Sequence, residues 1–418
     1  MTDPVRQAAF DALRAVDERD AYVNLLLPQL LRERRLTGRD AALATELAHG
    51  TLRWQGSYDA VIDHLAPGRA IEPAVRDALR MGCHQLLSMR IPDHAAVSTT
   101  VGIVKASVGH RAVGFANAVL RRVSQNDFDG WMRVVTAELD EPAALAVRTS
   151  HPAWIIEALG AALGPDGDLK ALLAADNVPP KVTLAARPGL CEPDELPGTP
   201  GRLSPYARIL DGGEPREIAA VREGRAGVQD EGSQVVAIQL AAEAIDGPDE
   251  QWLDLCAGPG GKAALLGAMA AQRGAALVAN EVQPHRAELV RSTVALLSNV
   301  TVTTEDGRRG PWAPASFDRI LVDAPCTGLG ALRRRPESRW RRQPGDLAQL
   351  VPLQRALLER ALELVRSGGV VAYATCSPHL AETRDVLAAV GVQPGSVTQL
   401  WPHVDGTDAM FCAIIRRS

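Results

Sequence analysis

From about residue 250 onward, short apolar runs alternate with helical stretches. This alternation constrains the fold more than any other feature of the 418-residue chain. Strand–helix–strand repetition specifies a parallel sheet, because parallel neighbours need a crossover long enough to hold a helix. The runs at 252–256, 276–281, 300–304, 319–323 and 369–375 read as buried strands. The stretches at 262–271, 285–297, 347–365 and 381–390 read as the helices between them. Ligands of such sheets bind at the carboxyl ends of the strands, so the residues that end these runs are the first candidates for chemistry.

The first 125 residues follow a different period. Val5, Ala9, Leu13 and Val16 form the apolar stripe of an amphipathic helix, and further helical stretches are expected at 39–54, 56–65, 73–89, 94–106 and 112–123. An all-α unit is expected here. Residues 126–240 are less regular. Helical segments near 131–138, 142–148 and 152–163 lead into the Pro- and Gly-rich stretch 186–216. Runs at 182–185 and 207–210 read as strands of a small α/β unit, with a long linker as the alternative. The expected organisation is therefore three parts: helical 1–128, an α/β connector 129–240 and a Rossmann-like α/β domain 241–418.

Composition excludes whole classes of function. A chain that is 46% hydrophobic and 23% charged is neither disordered nor fibrous. It has no run of eighteen apolar residues, and its start, Met1-Thr-Asp-Pro-Val-Arg6, lacks a secretory core. A cytoplasmic protein without membrane contact is expected. The six cysteines (83, 191, 256, 326, 376, 412) form no Cys-x-x-Cys pair and no metal-like spacing, which argues against disulfides and bound metal. Histidines 84, 94, 151 and 379 likewise read as structural. The net charge of −5 carries no nucleic-acid signature, but six arginines lie between Arg333 and Arg342 against one acid, Glu337. Phosphate contact, with Trp340 as a stacking surface, is the functional reading of that cluster; a solvated face is the plain one.

The most informative segment is Leu253-Asp-Leu-Cys-Ala-Gly-Pro-Gly-Gly-Lys262. A strand ends in a glycine-rich turn and a helix begins at once, which exposes unpaired N–H groups. It is neither the dinucleotide fingerprint nor a phosphate loop. Glu281 ends the second strand, where an acid takes a ribose hydroxyl in doubly wound nucleotide sites. Glu305-Asp-Gly-Arg308 follows the third strand. An adenosine carrying a carboxylate but no phosphate would satisfy all three places, and S-adenosylmethionine fits.

Strands four and five lead into Asp323-Ala-Pro-Cys-Thr-Gly328 and Tyr373-Ala-Thr-Cys-Ser377, so Cys326 and Cys376 are expected to open onto one crevice. Thiols are useful to a methyltransferase when the acceptor is carbon 5 of a pyrimidine, a poor nucleophile. Thiolate addition at carbon 6 makes carbon 5 enamine-like, and an acid at N3, here Asp323, favours the addition. Residue spacing alone does not say which thiol attacks.

These motifs resemble those of RNA cytosine-5 methyltransferases, in particular the bacterial enzymes acting on 16S ribosomal RNA, and the resemblance covers nearly the whole chain. Glu46-Leu-Ala-His-Gly-Thr-Leu-Arg-Trp54, Pro92-Asp-His-Ala-Ala96 and Phe115-Ala-Asn-Ala-Val-Leu-Arg121 resemble a NusB-type RNA-binding domain, and Val228-Gln-Asp-Glu-Gly-Ser-Gln234 resembles the lead-in to the catalytic domain. The resemblance implies that Cys256, Ala257, Gly258, Pro259, Gly260, Gly261, Lys262, Glu281, Asp306 and Asp323 contact S-adenosylmethionine. It implies Cys376 as the nucleophile and Cys326 as an aid to product release, with 16S ribosomal RNA as substrate and a monomeric enzyme. A non-catalytic RNA-binding or antitermination factor, or action on transfer RNA, are the rival readings. Three departures stand out. Gly258 replaces a commoner alanine, a change expected to be harmless; Glu281 replaces Asp; and Pro378-His-Leu-Ala-Glu382 replaces a more acidic loop, leaving its role open.

Overall fold

The computed structural model describes residues 3–417, which divide into two compact units. The first runs through residue 160 and also takes in Asp168–Val178 and Leu332–Arg342. The second comprises Ala161–Gly167, Pro179–Ala331 and the chain from Gln343 onward.

The first unit is helical; no strand occurs among its described residues. Helices span Pro4–Arg19, Val23–Glu33, Gly38–Arg53, Gln55–Leu65, Pro73–Leu87, Asp93–Ser107 and His110–Val123, followed by four shorter ones from Phe128 to Asp176. Local chemistry sets the ends: Asp3 accepts from the N–H groups of Val5 and Arg6, and Pro4 and Pro73 sit at first helical positions, where a missing N–H costs nothing. Val5 is buried, and Ala9 and Leu13 point into a core with Leu47, Tyr58, Ile62, Leu79 and Leu120. Helix Val23–Glu33 is one that the periodicity does not announce, because it contains Pro28 and buries only Val23 and Leu27.

The arginine-rich segment belongs to this unit, and it is partly turned inward rather than presented whole to solvent. Arg339 is fully buried. Its guanidinium donates to the carbonyl oxygens of Arg53 (3.0 Å), Ser150 (3.2 Å) and Asp176 (2.8 Å) and to Asn177 Oδ1 (2.7 Å). Arg333 is buried, and its carbonyl accepts from Arg53. Arg341 donates to the Ala21 carbonyl, and Arg335 and Arg341 lie over the Tyr22 ring. Trp340 packs so tightly on Gly56 that a Cβ there would come within 2.3 Å of its ring. The planar fork of arginine suits such a place, because one group that keeps its charge satisfies several carbonyls.

His151 is also buried here, 3.7 Å from Asp176, with its Nδ1 2.8 Å from the Thr149 carbonyl. Burial, helped by the charge of Arg339, pulls its ionisation down to about 4. The unfolded chain, with an ordinary histidine near 6.5, takes up the proton first as pH falls, so stability present above that value is lost on the way to 4. The expected loss by pH 5 is roughly 2 kcal/mol. Urea titrations of the protein and of His151→Gln between pH 7 and 5 check this: the midpoint of the histidine form falls more steeply.

The second unit holds two sheets. Strands Thr199–Pro200, Ala207–Ile209, Thr183–Ala186 and Ala226–Val228 form, in that order, an antiparallel sheet over a small core of Leu184, Cys191, Leu196 and Leu210. The Pro- and Gly-rich stretch is therefore folded rather than a linker. The large sheet contains β1 (Gln251–Asp254), β2 (Ala276–Asn280), β3 (Val300–Thr303), β4 (Phe317–Asp323), β5 (Val365–Thr375), β6 (Ser396–Gln399) and β7 (Phe411–Arg416). Their spatial order is β6-β7-β5-β4-β1-β2-β3, parallel except at β6 and β7. Helices α1 (Glu231–Ala242), α2 (Gly261–Gln272), α3 (Pro284–Thr293), α4 (Leu347–Leu364) and α5 (Arg384–Val390) accompany it. Separate apolar clusters cover its faces, one around Leu265, Leu266, Leu277 and Leu321, the other around Leu253, Ile320, Leu358 and Tyr373. Among the described residues no helix is long and apolar enough to cross a membrane.

Candidate active site at the carboxyl edge of the large sheet

Parallel pairing puts the ends of five strands on one edge. Leu253 of β1 is in register with Val278 of β2 and Ile320 of β4, and Val322 of β4 with Tyr373 of β5. Asp254, Glu281, Asp323 and Cys376 therefore arrive together at or just beyond their strand ends. The order switch between β1 and β4 opens the crevice in which doubly wound folds bind ligands.

Between β1 and α2 runs the glycine-rich turn. Cys256 is half-buried, Ala257 is buried and donates its N–H to the Asn280 carbonyl, and Pro259 is exposed. Gly260 takes φ 113° as N-cap of α2, a conformation open to glycine, and a Cβ there would come within 2.9 Å of Thr293. Gly261 begins the helix. Lys262, in its first turn, donates to Asp323 Oδ2 at 2.9 Å and lies 3.4 Å from Ser233 Oγ. Burial opposes the ammonium, yet Asp323, with Cys376 and Asp254 nearby, holds its ionisation above the ordinary lysine value.

The two thiols meet. Cys326 Sγ and Cys376 Sγ are 3.4 Å apart, a sulfur–sulfur hydrogen bond. That bond, then burial and the neighbouring carboxylates, push the Cys326 thiol far above its usual range. Either sulfur can donate in this contact. Burial, Asp254 and Asp323 likewise hold Cys256 as a neutral thiol.

Glu281 is buried, accepts from the Gln283 N–H and pairs with Arg286 at 3.6 Å. Gly258 and Glu281 are not independent of one another. A Cβ at 258 would lie 2.0 Å from Glu281 Oε2, so the extra methylene of the glutamate fills the space an alanine methyl would take. An alanine at 258 would thus require the Glu281 carboxylate to move. Asp306 is held by Arg308 through contacts at 2.6, 2.9 and 3.0 Å, which draw its carboxyl down to about 2.

Two polar residues were not picked out as site residues by sequence reasoning. Asp254 is fully buried, and burial followed by repulsion from Asp323 lifts its carboxyl to about 8. Its signal was a carboxyl inside an apolar strand. Asn280 donates to the Leu255 and Glu305 carbonyls and accepts from Thr303 Oγ1 and the Glu305 N–H, so one amide fastens three strand ends. An amide at the end of an apolar strand was the only trace of it.

Comparison with known proteins matches this architecture. The family model described as 16S rRNA methyltransferase RsmB/F covers residues 246–393, and the NusB family model covers residues 3–125. The chain is 35% identical to ribosomal RNA small subunit methyltransferase B of Pseudomonas syringae pv. tomato, over 92% of this chain and 86% of that one. It is 49% identical, over 99% of this chain and 97% of the other, to a Mycobacterium tuberculosis protein whose name assigns it, without a substrate, to the methyltransferases. The crystal structure of PH0851 superposes with a TM-score of 0.82 over 100% of this chain and 99% of that one, at 21% identity, which shows a shared fold. Residues 3–125 of the helical unit are thus a NusB domain and the large sheet a Rossmann-like methyltransferase core, and the chain belongs to the RsmB/F family of 16S ribosomal RNA methyltransferases.

Proposed function

We propose that this protein methylates carbon 5 of a cytosine in 16S ribosomal RNA, with S-adenosylmethionine as donor and a covalent bond between Cys376 and carbon 6 as intermediate. The observation that carries the proposal is the pair of thiols 3.4 Å apart beside the Lys262–Asp323 pair. Nitrogen and oxygen acceptors need no such pair.

The cradle fits the cofactor. Side chains at Gly258 and Gly260 would press on Glu281 and Thr293 and disturb the turn, the N-terminus of α2 suits a carboxylate, and Glu281 suits a ribose hydroxyl. Cys256, Ala257, Gly258, Pro259, Gly260, Gly261, Lys262, Glu281, Asp306 and Asp323 would hold it. When bound, it supplies an electrophilic methyl group on sulfur. The protein's own side chains do the rest. The Lys262 ammonium lies within electrostatic reach of Cys376 and favours the thiolate there, while Cys326 keeps the proton. Cys376 adds to carbon 6, and Asp323, oriented by Lys262, faces N3. Once its sulfur is in a thioether, Cys376 carries no charge, and the chief cause that kept Cys326 protonated is gone. Cys326 can then give its proton to solvent and, as thiolate, take the one from carbon 5; the electrons of that C–H bond reform the ring double bond and expel Cys376 as thiolate.

Incubating the purified protein with methyl-labelled cofactor and unmodified 16S RNA tests this. Label on cytosine carbon 5 is expected; label absent from RNA, or on another atom, overturns it. The Gly258–Glu281 packing adds a sharper check. Gly258→Ala forces the acid aside, and an overpacking penalty on the order of 1–2 kcal/mol weakens cofactor binding about tenfold. Adding Glu281→Asp removes the clash and restores most of that affinity by calorimetry, whereas equal loss in both variants would contradict it.

A further inference from the structure

Glu382 lies in the loop whose departure from the family pattern left its role open, and the structure gives that residue a place. It is fully buried, and both carboxylate oxygens are engaged. Oε1 accepts from the Thr327 N–H at 2.7 Å and from Gln354 Nε2 at 3.1 Å; Oε2 accepts from the Thr327 hydroxyl. Gln354, itself fully buried on α4, also donates to the Pro325 carbonyl at 2.8 Å. The residues on both sides of Cys326 are thereby tied to one anion. The other thiol is tied in as well, since Thr327 Oγ1 lies 3.0 Å from Ser377 Oγ, next to Cys376, and the Tyr373 hydroxyl donates to the Glu382 carbonyl at 2.7 Å.

A buried carboxylate is costly to keep, and an apolar side chain would pack this loop at less expense. What the anion supplies is direction: it fixes two donors of Thr327 at once and with them the turn that carries Cys326. We infer that Glu382 is a positioning residue that sets the Cys326 thiol against Cys376, through Thr327 and Gln354, for release of the product. This rests on the thiol roles proposed above and adds a residue that does not touch substrate.

The consequence is selective. Cys376 directly follows β5, whose last residue, Thr375, pairs with Phe411 of β7, and the carboxylate reaches it only at second hand, through Thr327 and Ser377. Cys326 sits on a loop that the carboxylate holds directly, at Thr327. Glu382→Gln keeps the shape but turns an NH2 group toward the Thr327 donors. Displacements near 1 Å cost about a hundredfold in rate. The expected result is covalent RNA–protein adduct forming as in the parent while methylated product is released roughly 10–100-fold more slowly, with unchanged cofactor affinity. Thr327→Val, which removes the hydroxyl donor at equal volume, carries the same test if the glutamine variant fails to fold. Thr327→Ser, which keeps both donors, releases product near the parent rate. Product release at the parent rate in both Glu382→Gln and Thr327→Val overturns the inference, as does loss of adduct and cofactor binding together. A Cys326→Ala control that forms no adduct would instead sink the parent reading.

Discussion

Cys326→Ala is expected to migrate on a denaturing gel as an RNA-linked species, whereas Cys376→Ala forms neither adduct nor product. The asymmetry follows from the roles proposed above. Burial and the contact with Cys376 keep Cys326 a neutral thiol, while Cys376, the proposed nucleophile, lies within electrostatic reach of the Lys262 ammonium. Without Cys326 the attack proceeds, but no group removes the carbon-5 proton, and the bond to carbon 6 cannot break. Loss of a proton-transfer group costs about 10²–10⁴-fold in turnover. Mass spectrometry of the trapped species places the RNA on Cys376. An adduct that forms with Cys376→Ala would exchange the two roles, and a normal rate in either variant would remove that cysteine from the chemistry.

Arg339→Ala is expected to destabilise the helical unit by on the order of 3 kcal/mol or more, since buried carbonyls that lose their donor cost about 1–3 kcal/mol each. Three carbonyls and the Asn177 amide oxygen would lose it together. Arg335→Ala, at an exposed position in the same segment, should stay within about 0.5 kcal/mol. Denaturant midpoints of the two variants check this, and equal small effects would contradict the packing role.

Much of this fold was legible in the residues because it rests on periodicity. The stripe of Val5, Ala9 and Leu13 and the runs that became β1 to β4 are patterns a short window can hold. The last two strands, β6 and β7, were not anticipated, although Phe411–Arg416 buries five consecutive residues, because antiparallel addition to β5 is a tertiary event. The site was legible where glycine, proline and cysteine punctuate the strand ends. It was obscure where one buried polar group organises others, as with Asp254, Asn280 and Glu382. The arginine cluster misled for the opposite reason: charge density suggests solvent, and only the fold shows the carbonyls that Arg339 satisfies.

That segment also bears on the order in which the molecule is made. The helical unit is discontinuous, and its last piece, Leu332–Arg342, follows Val178 by roughly 150 residues. At about 5–20 residues per second, ribosomes need on the order of 10 s to synthesise that intervening chain. Through that interval the nascent helices hold their core but lack Arg339, and the carbonyls of Arg53, Ser150 and Asp176 have only water to bond. The amino-terminal unit therefore completes its fold after the β1–β4 half of the catalytic sheet has emerged, so that a translation product truncated before residue 332 presents an unfinished helical unit.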